Sequence, residues 1–163
     1  MSFDISDLDA EQKRIRAVVV IESPYAGNVA LNRAYLQEAI LDCLERGESP
    51  YASHQMLTDA LDDLKPVERA RGIAAGLYFR EVLIGAVGAP AVYYTDLGWS
   101  VGMLAAKHAG RGEPISRKLS RERLLRTWER FCDADPVLAV QVIDTCRTAD
   151  VLELLEGARK WGA

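Results

Sequence analysis

The sequence predicts an α/β protein: a three-layer Rossmann-like or flavodoxin-like parallel sheet with a C-terminal helical extension. Three features carry that expectation. The run Ala17-Val-Val-Val-Ile21 is continuously apolar and β-branched, the composition of a strand covered on both faces. Strand and helix patterns then alternate to about residue 116, which favours parallel strands joined by right-handed crossovers. Beyond about Lys118 no strand signal remains. The chain therefore divides into an α/β domain over 1–116 and a helical tail over 117–163.

The first strand stops at Glu22-Ser-Pro-Tyr-Ala-Gly27, because Pro24 cannot donate to a ladder and Gly27 permits a tight turn. From Asn28 to about Arg46, apolar residues recur at helical spacing and Gly47 sits where a C-terminal cap belongs. Pro50-Tyr-Ala-Ser53 reads as a short second strand, followed by a loop or short helix that carries His54, Asp59, Asp62 and Asp63. Pro66 suits the first turn of a helix that ends near Gly85 or Gly88, with Glu68 favourably close to its start. Ala91–Thr95 is the third strand, and Ser100 caps a helix running to about Ala109. Pro114-Ile-Ser116 is a brief edge strand. The tail holds three amphipathic segments, 120–131, 136–146 and 149–160.

Composition limits the functions available. Of 163 residues, 49% are hydrophobic and 27% charged, values of a globular chain with little room for long disorder. A net charge of −4 gives no global argument for nucleic-acid binding. The segment from Arg117 to Arg130 is locally basic, so nucleic acid remains an alternative partner there, beside a solvated or protomer-facing helix. Three widely spaced cysteines, Cys43, Cys132 and Cys146, fit neither a disulfide framework nor a metal knuckle. The acidic start lacks a signal-peptide layout, and no apolar stretch approaches the ~20 residues needed to span a bilayer. A reducing, cytoplasmic setting without membrane association is the expectation, with no cofactor and no metal.

In such folds ligands sit outside the C-terminal ends of the strands, at the switch point. The loops that line that place are 22–28 and 96–103. Ser23, Tyr25, Gly27, Asn28 and Asn32 lie on the first loop and the helix after it. A strand-to-helix loop offers unpaired N–H groups to an anion, and Tyr25 can stack on a base or bond a sugar; a plain tight turn is the other reading. Trp99, in a glycine-flanked rim loop, is the best base-stacking candidate among the aromatics, while Tyr93 and Tyr94 suit strand packing. His54 falls where a general acid or phosphate partner would be useful, or where a packing histidine would sit.

The order Ser23-Pro-Tyr-Ala-Gly27-Asn28 followed by Asn32-Arg33 resembles the Gly-Pro-Tyr-x-Gly opening of the nucleoside 2-deoxyribosyltransferase-like superfamily. Downstream, Asp96-Leu-Gly-Trp-Ser100-Val-Gly102-Met103 is similar to that superfamily's acidic residue and Gly-Met-Glu helix start, and the likeness is nearest to small phage and actinobacterial members. It covers roughly residues 16–116. The resemblance implies a Rossmann-like fold and a nucleoside or nucleotide pocket with Tyr25, Ser100, Gly102 and Met103 on its walls, in a homo-oligomer whose subunits complete one another's sites. It also implies a nucleophilic glutamate directly after Gly-Met. In this chain that place is Leu104, which has no lone pair to offer, so the covalent mechanism does not carry across.

Other carboxylates are candidates for the missing role. Asp96 resembles the family's acidic residue; Asp63 and Glu68, with Asp62, precede a helix that can bring them near, and Glu22 opens the first loop. Such a pair can divide acid and base work at an N-glycosidic bond, or can cap helices and face solvent. The expected function is a nucleoside- or nucleotide-binding protein with N-glycosidic cleavage or deoxyribosyl transfer as the leading activity. The alternatives are a non-catalytic pocket that sequesters or senses a nucleotide, and an interaction module built on the basic tail.

Overall fold

A computed structural model describes residues 5–62, 64–110, 114–137 and 139. Among them, four strands form one parallel sheet in the order β2-β1-β3-β4: β1 (Ala17–Glu22), β2 (Glu48–Tyr51), β3 (Ala91–Tyr94) and β4 (Ile115–Arg117). Val19 pairs with Pro50, Ile21 with Val92, and Tyr93 with Ser116. The helices are α1 (Ile5–Arg14), α2 (Val29–Glu45), α3 (Ser53–Ala60), α4 (Pro66–Val82), α5 (Val101–Ala109) and α6 (Arg121–Ala134). The result is the doubly wound α/β architecture that the alternating pattern predicts.

Alternation along β1 and β3 sorts their side chains onto two faces. Val19, Ile21, Val92 and Tyr94 meet Tyr35, Leu36, Ala39 and Cys43 of α2 in the main core. Val20 and Tyr93 are buried on the other face, where Met103 and Ala106 of α5 are also buried. There, Arg80 of α4 donates to the Ala106 carbonyl at 3.0 Å. α6 lies against α2 through Ala34, Trp128 and Phe131.

The basic segment is largely consumed inside the fold. Glu38 of α2 is fully buried and takes ion pairs from Arg123 (3.0 Å), Arg126 (3.2 Å) and Arg130 (3.0 Å) of α6. Burial works to raise the Glu38 pKa, but the hydrogen bonds from the three guanidinium groups outweigh it and hold the carboxyl below its ordinary range. Arg117 is engaged by Glu48 in the same manner.

Several boundaries differ from the sequence pattern for local reasons. β2 begins two residues early, at Glu48, where it already pairs with Ala17 of β1, and stops at Tyr51 because Ser53 opens α3. The helix from Pro66 keeps regular geometry only to Val82. It then widens into a π-helical turn, Leu83–Val87, and stops at Gly88, whose φ of 73° ends it. α1 is an element that the acidic N-terminal pattern does not announce. The expected tail segments 136–146 and 149–160 lie outside the described residues, apart from 136, 137 and 139.

α3 and α4 run antiparallel in close contact. A Cβ on Gly76 would come within 3.0 Å of the Ser53 side chain, and one on Gly72 within 3.1 Å of Leu61. Glycine at these two places lets the helices approach closely. The opposite side of α4 has no such cover: within this helix only Gly76 and Arg80 are buried.

Candidate functional site

β1 and β3 are adjacent and parallel, with Glu22 level with Tyr93, so the loops that follow them leave the same edge side by side. The chain moves outward one way from β1 to β2 and the other way from β2 to β3, which makes this edge the topological switch point.

On the β1 side the structure assembles three of the predicted residues. Ser23, 5% exposed, shares a hydrogen bond of 3.1 Å between its Oγ and His54 Nε2, across from the first turn of α3. The Tyr25 ring meets the His54 ring edge-on at 5.7 Å. Burial without an anionic neighbour depresses the His54 pKa to about 4, so the imidazole is neutral at physiological pH. Asn32 holds the loop in place: its side-chain amide donates to the carbonyls of Tyr25 (2.9 Å) and Ala26 (3.0 Å). Gly27 adopts φ 93°, a conformation costly for other residues, and a Cβ there would meet nothing within 4 Å.

The start of α2 is not the open anion cradle that the loop pattern suggests. The Val29 amide donates to Gly27 O at 3.0 Å, and Asn28 Oδ1 caps the helix by accepting from the Leu31 amide at 3.0 Å. Arg33, the nearest cation in sequence, pairs with Asp59 at 2.8 Å and ties α2 to α3.

On the β3 side, the candidates serve mostly as fasteners. Asp96 Oδ2 accepts from the Tyr35 hydroxyl at 2.7 Å and from the Leu119 amide at 3.0 Å, while the Tyr35 oxygen accepts from the Asp96 amide at 3.1 Å. Trp99 stacks on Tyr93 with centroids 5.3 Å apart, and the Lys107 ammonium lies 5.2 Å from its centroid. Ser100 caps α5 by accepting from the Met103 amide. Met103 is buried in the core, whereas Leu104 is partly exposed. At Gly102 a Cβ would meet nothing closer than Ser100 Oγ at 3.8 Å, so packing does not demand glycine there.

The remaining acids do not join this group. Glu68 accepts from the Asp62 amide (2.8 Å) and from Lys65 (3.1 Å), closing the turn that leads into α4. Asp63 lies outside the described residues. Glu22 is bound at 2.8 Å by Arg80, itself almost fully buried; burial raises the Glu22 pKa, and the arginine works against that rise. An open groove of about 330 Å³ lies elsewhere, along the outer edge of β2 between Ile40, Tyr51, Gln55, Met56 and Asp59.

Two residues that matter here carry no sequence signal of their own. Tyr35 and Arg80 each sit inside a helix pattern, and their partners, Asp96 and Glu22, are 61 and 58 positions away. Among the described residues no group of three or more His, Cys, Asp or Glu is arranged to hold a metal, and no helix is long and apolar enough to cross a membrane.

Comparison with known proteins gives one match. No curated protein and no solved structure matches the chain. The family described as "Domain of unknown function (DUF7768)" matches residues 17–116, from the first residue of β1 into β4. That match takes in the whole switch-point edge and more than half of the sequence, and the chain belongs to this family.

Proposed function

We propose that the chain binds a nucleoside-type small molecule at the C-terminal edge of the sheet, through Tyr25, His54 and Ser23. The observation that carries the reading is the Ser23–His54 hydrogen bond of 3.1 Å, with Tyr25 against the same imidazole, in the loop at the switch point. A neutral imidazole and a hydroxyl pair well with uncharged polar groups such as sugar hydroxyls or a base edge. They match a phosphate dianion poorly, and the amides of Val29 and Leu31 at the nearby helix start are already occupied. The ligand class therefore narrows to the nucleoside portion. The reading also rests on the resemblance of residues 23–33 and 96–103 to nucleoside-handling proteins. We place it in a reducing, cytoplasmic setting, in keeping with the buried free thiol of Cys43.

The experiment is a thermal-shift and calorimetric panel of nucleosides and the corresponding nucleotides. Stabilisation that grows with nucleoside concentration, and that is lost in Tyr25→Ala and His54→Ala, is the expected result. Equal binding by wild type and Tyr25→Ala, or no binding across the panel, overturns it.

N-glycosidic cleavage is the second reading, favoured by one feature. Asp96 Oδ1 takes no hydrogen bond among the described residues, although Oδ2 takes two, so one oxygen is left to meet a substrate. Free base released from nucleosides by wild type and not by Asp96→Asn supports it; ligand recovered intact leaves binding alone.

A further inference from the structure

We propose that Glu22 reads the sugar of the ligand, its Oε2 accepting a hydrogen bond from a ribose or deoxyribose hydroxyl. This deepens the nucleoside-binding reading above and rests on it.

The starting observation is how the buried carboxylates of this fold spend their oxygens. Glu38 has both engaged, Oε1 by Arg130 and Oε2 by Arg123 and Arg126. Glu48 gives one oxygen to each arm of the Arg117 guanidinium, and both oxygens of Asp42 accept as well. Glu22 differs. Arg80 takes only its Oε1, through Nε at 2.8 Å, and turns Nη2 to the Tyr93 hydroxyl (3.4 Å) and the Ala106 carbonyl (3.0 Å). Glu22 Oε2 accepts nothing among the described residues, although the side chain is only 16% exposed. A pair that served only to tie α4 to the sheet would gain from the forked geometry that Arg117 uses, so the withheld oxygen is left for another donor. Asp96 likewise has one oxygen unused, and the two acids stand at the ends of the adjacent strands β1 and β3.

Packing sets Glu22 beside the Ser23–His54 pair. Ser53 lies against Gly76, and Gly76 and Arg80, one turn apart, are the two buried residues of α4. His54, next to Ser53, bonds Ser23, while Arg80 bonds Glu22. Consecutive residues of the first loop are thus held by α3 and α4 together. Arg80, 6% exposed and fixed by two further acceptors, fastens the carboxylate before any ligand arrives. An ionised carboxylate only accepts, so its complement is a donor, and hydroxyls on the sugar are donors that a nucleoside carries whatever its base.

The test is calorimetric titration of the full chain, wild type and Glu22→Gln, with adenosine, guanosine, cytidine and uridine and with the 2′-deoxy, 2′,3′-dideoxy and 5′-deoxy forms of each. Glutamine keeps an acceptor for Arg80 and puts its amide nitrogen in the place of Oε2. The expected result is that deleting one hydroxyl weakens binding to wild type roughly tenfold, that Glu22→Gln weakens the hydroxyl-bearing form by a similar factor, and that the variant no longer distinguishes the two forms. Hydroxyl deletions that cost the same in both proteins overturn the proposal, as does a variant that weakens every form alike, the mark of a purely structural pair. Binding by wild type with either of those results removes this proposal alone; no binding by wild type removes the nucleoside reading with it. Circular dichroism checks folding, and if the glutamine variant does not fold, Glu22→Asp, which withdraws the carboxylate by one methylene, is read by the same criterion.

Discussion

Arg117, which closes β4, grips Glu48, which opens β2, through two hydrogen bonds of 2.6 and 2.7 Å, although β1 and β3 lie between those strands. The right-handed twist of a parallel sheet brings diagonally opposite corners toward each other over one face, and the forked guanidinium bridges what distance remains. Both side chains are about 15% exposed, and the Arg117 hydrogen bonds hold the Glu48 carboxyl below its ordinary pKa.

Removing the cation leaves a mostly buried carboxylate beside the Cys43 thiol, whose own pKa burial pushes up to about 11. Arg117→Ala is expected to destabilise the chain by about 3 kcal/mol. Glu48→Gln, which keeps an acceptor, should cost less. Urea denaturation of the two variants checks the order.

Asp96 and Tyr35 form a reciprocal pair, each accepting a hydrogen bond from the other. Tyr35→Phe and Asp96→Ala should each cost on the order of 1–3 kcal/mol, and the double variant clearly less than their sum. An additive double-mutant cycle would show that the two act separately.

His54 supplies a pH signature. Its folded pKa, about 4, lies below the ordinary 6.5, so the unfolded chain binds the extra proton between those values. Its contribution is complete above pH 6.5 and is lost as pH falls through that window, at up to about 1.4 kcal/mol per unit. Unfolding free energies of wild type and His54→Gln should therefore converge as pH falls from 7 to 5. Parallel curves would rule this out.

Glu38 organises α6. Glu38→Ala leaves three arginines facing each other in the α2–α6 contact and is expected to cost about 3–5 kcal/mol. Loss of hydrogen-exchange protection in α6 before the sheet would locate the damage; uniform protection would contradict it.

The sheet was legible because strand signals are local. Ala17–Ile21 is apolar at every position, and Ala91–Tyr94 is β-branched and aromatic, so each announces itself without knowledge of its neighbours. Ser100 and Ser120, each accepting from an amide three residues on, are readable for the same reason. Of the candidate site, what the sequence offered was a place: the structure brings Ser23, Tyr25 and His54 together beyond the end of β1. What the chain did not disclose is occupancy. That Asp96 is fastened to Tyr35, or that Arg117, Arg123, Arg126 and Arg130 are spent on Glu48 and Glu38, depends on contacts across 61 to 92 positions. No spacing encodes such contacts. α1 escaped notice because its apolar residues are too sparse to mark a face.

The bond from the Leu119 amide to Asp96 bears on where this molecule can be cut. The family match stops at residue 116, which invites expression of that stretch alone. A fragment ending there would forfeit the amide that steadies the rim, bare the hydrophobic flank of α2, and strand a buried carboxylate without its counterions. The working unit for crystallisation or screening extends at least through Ala134.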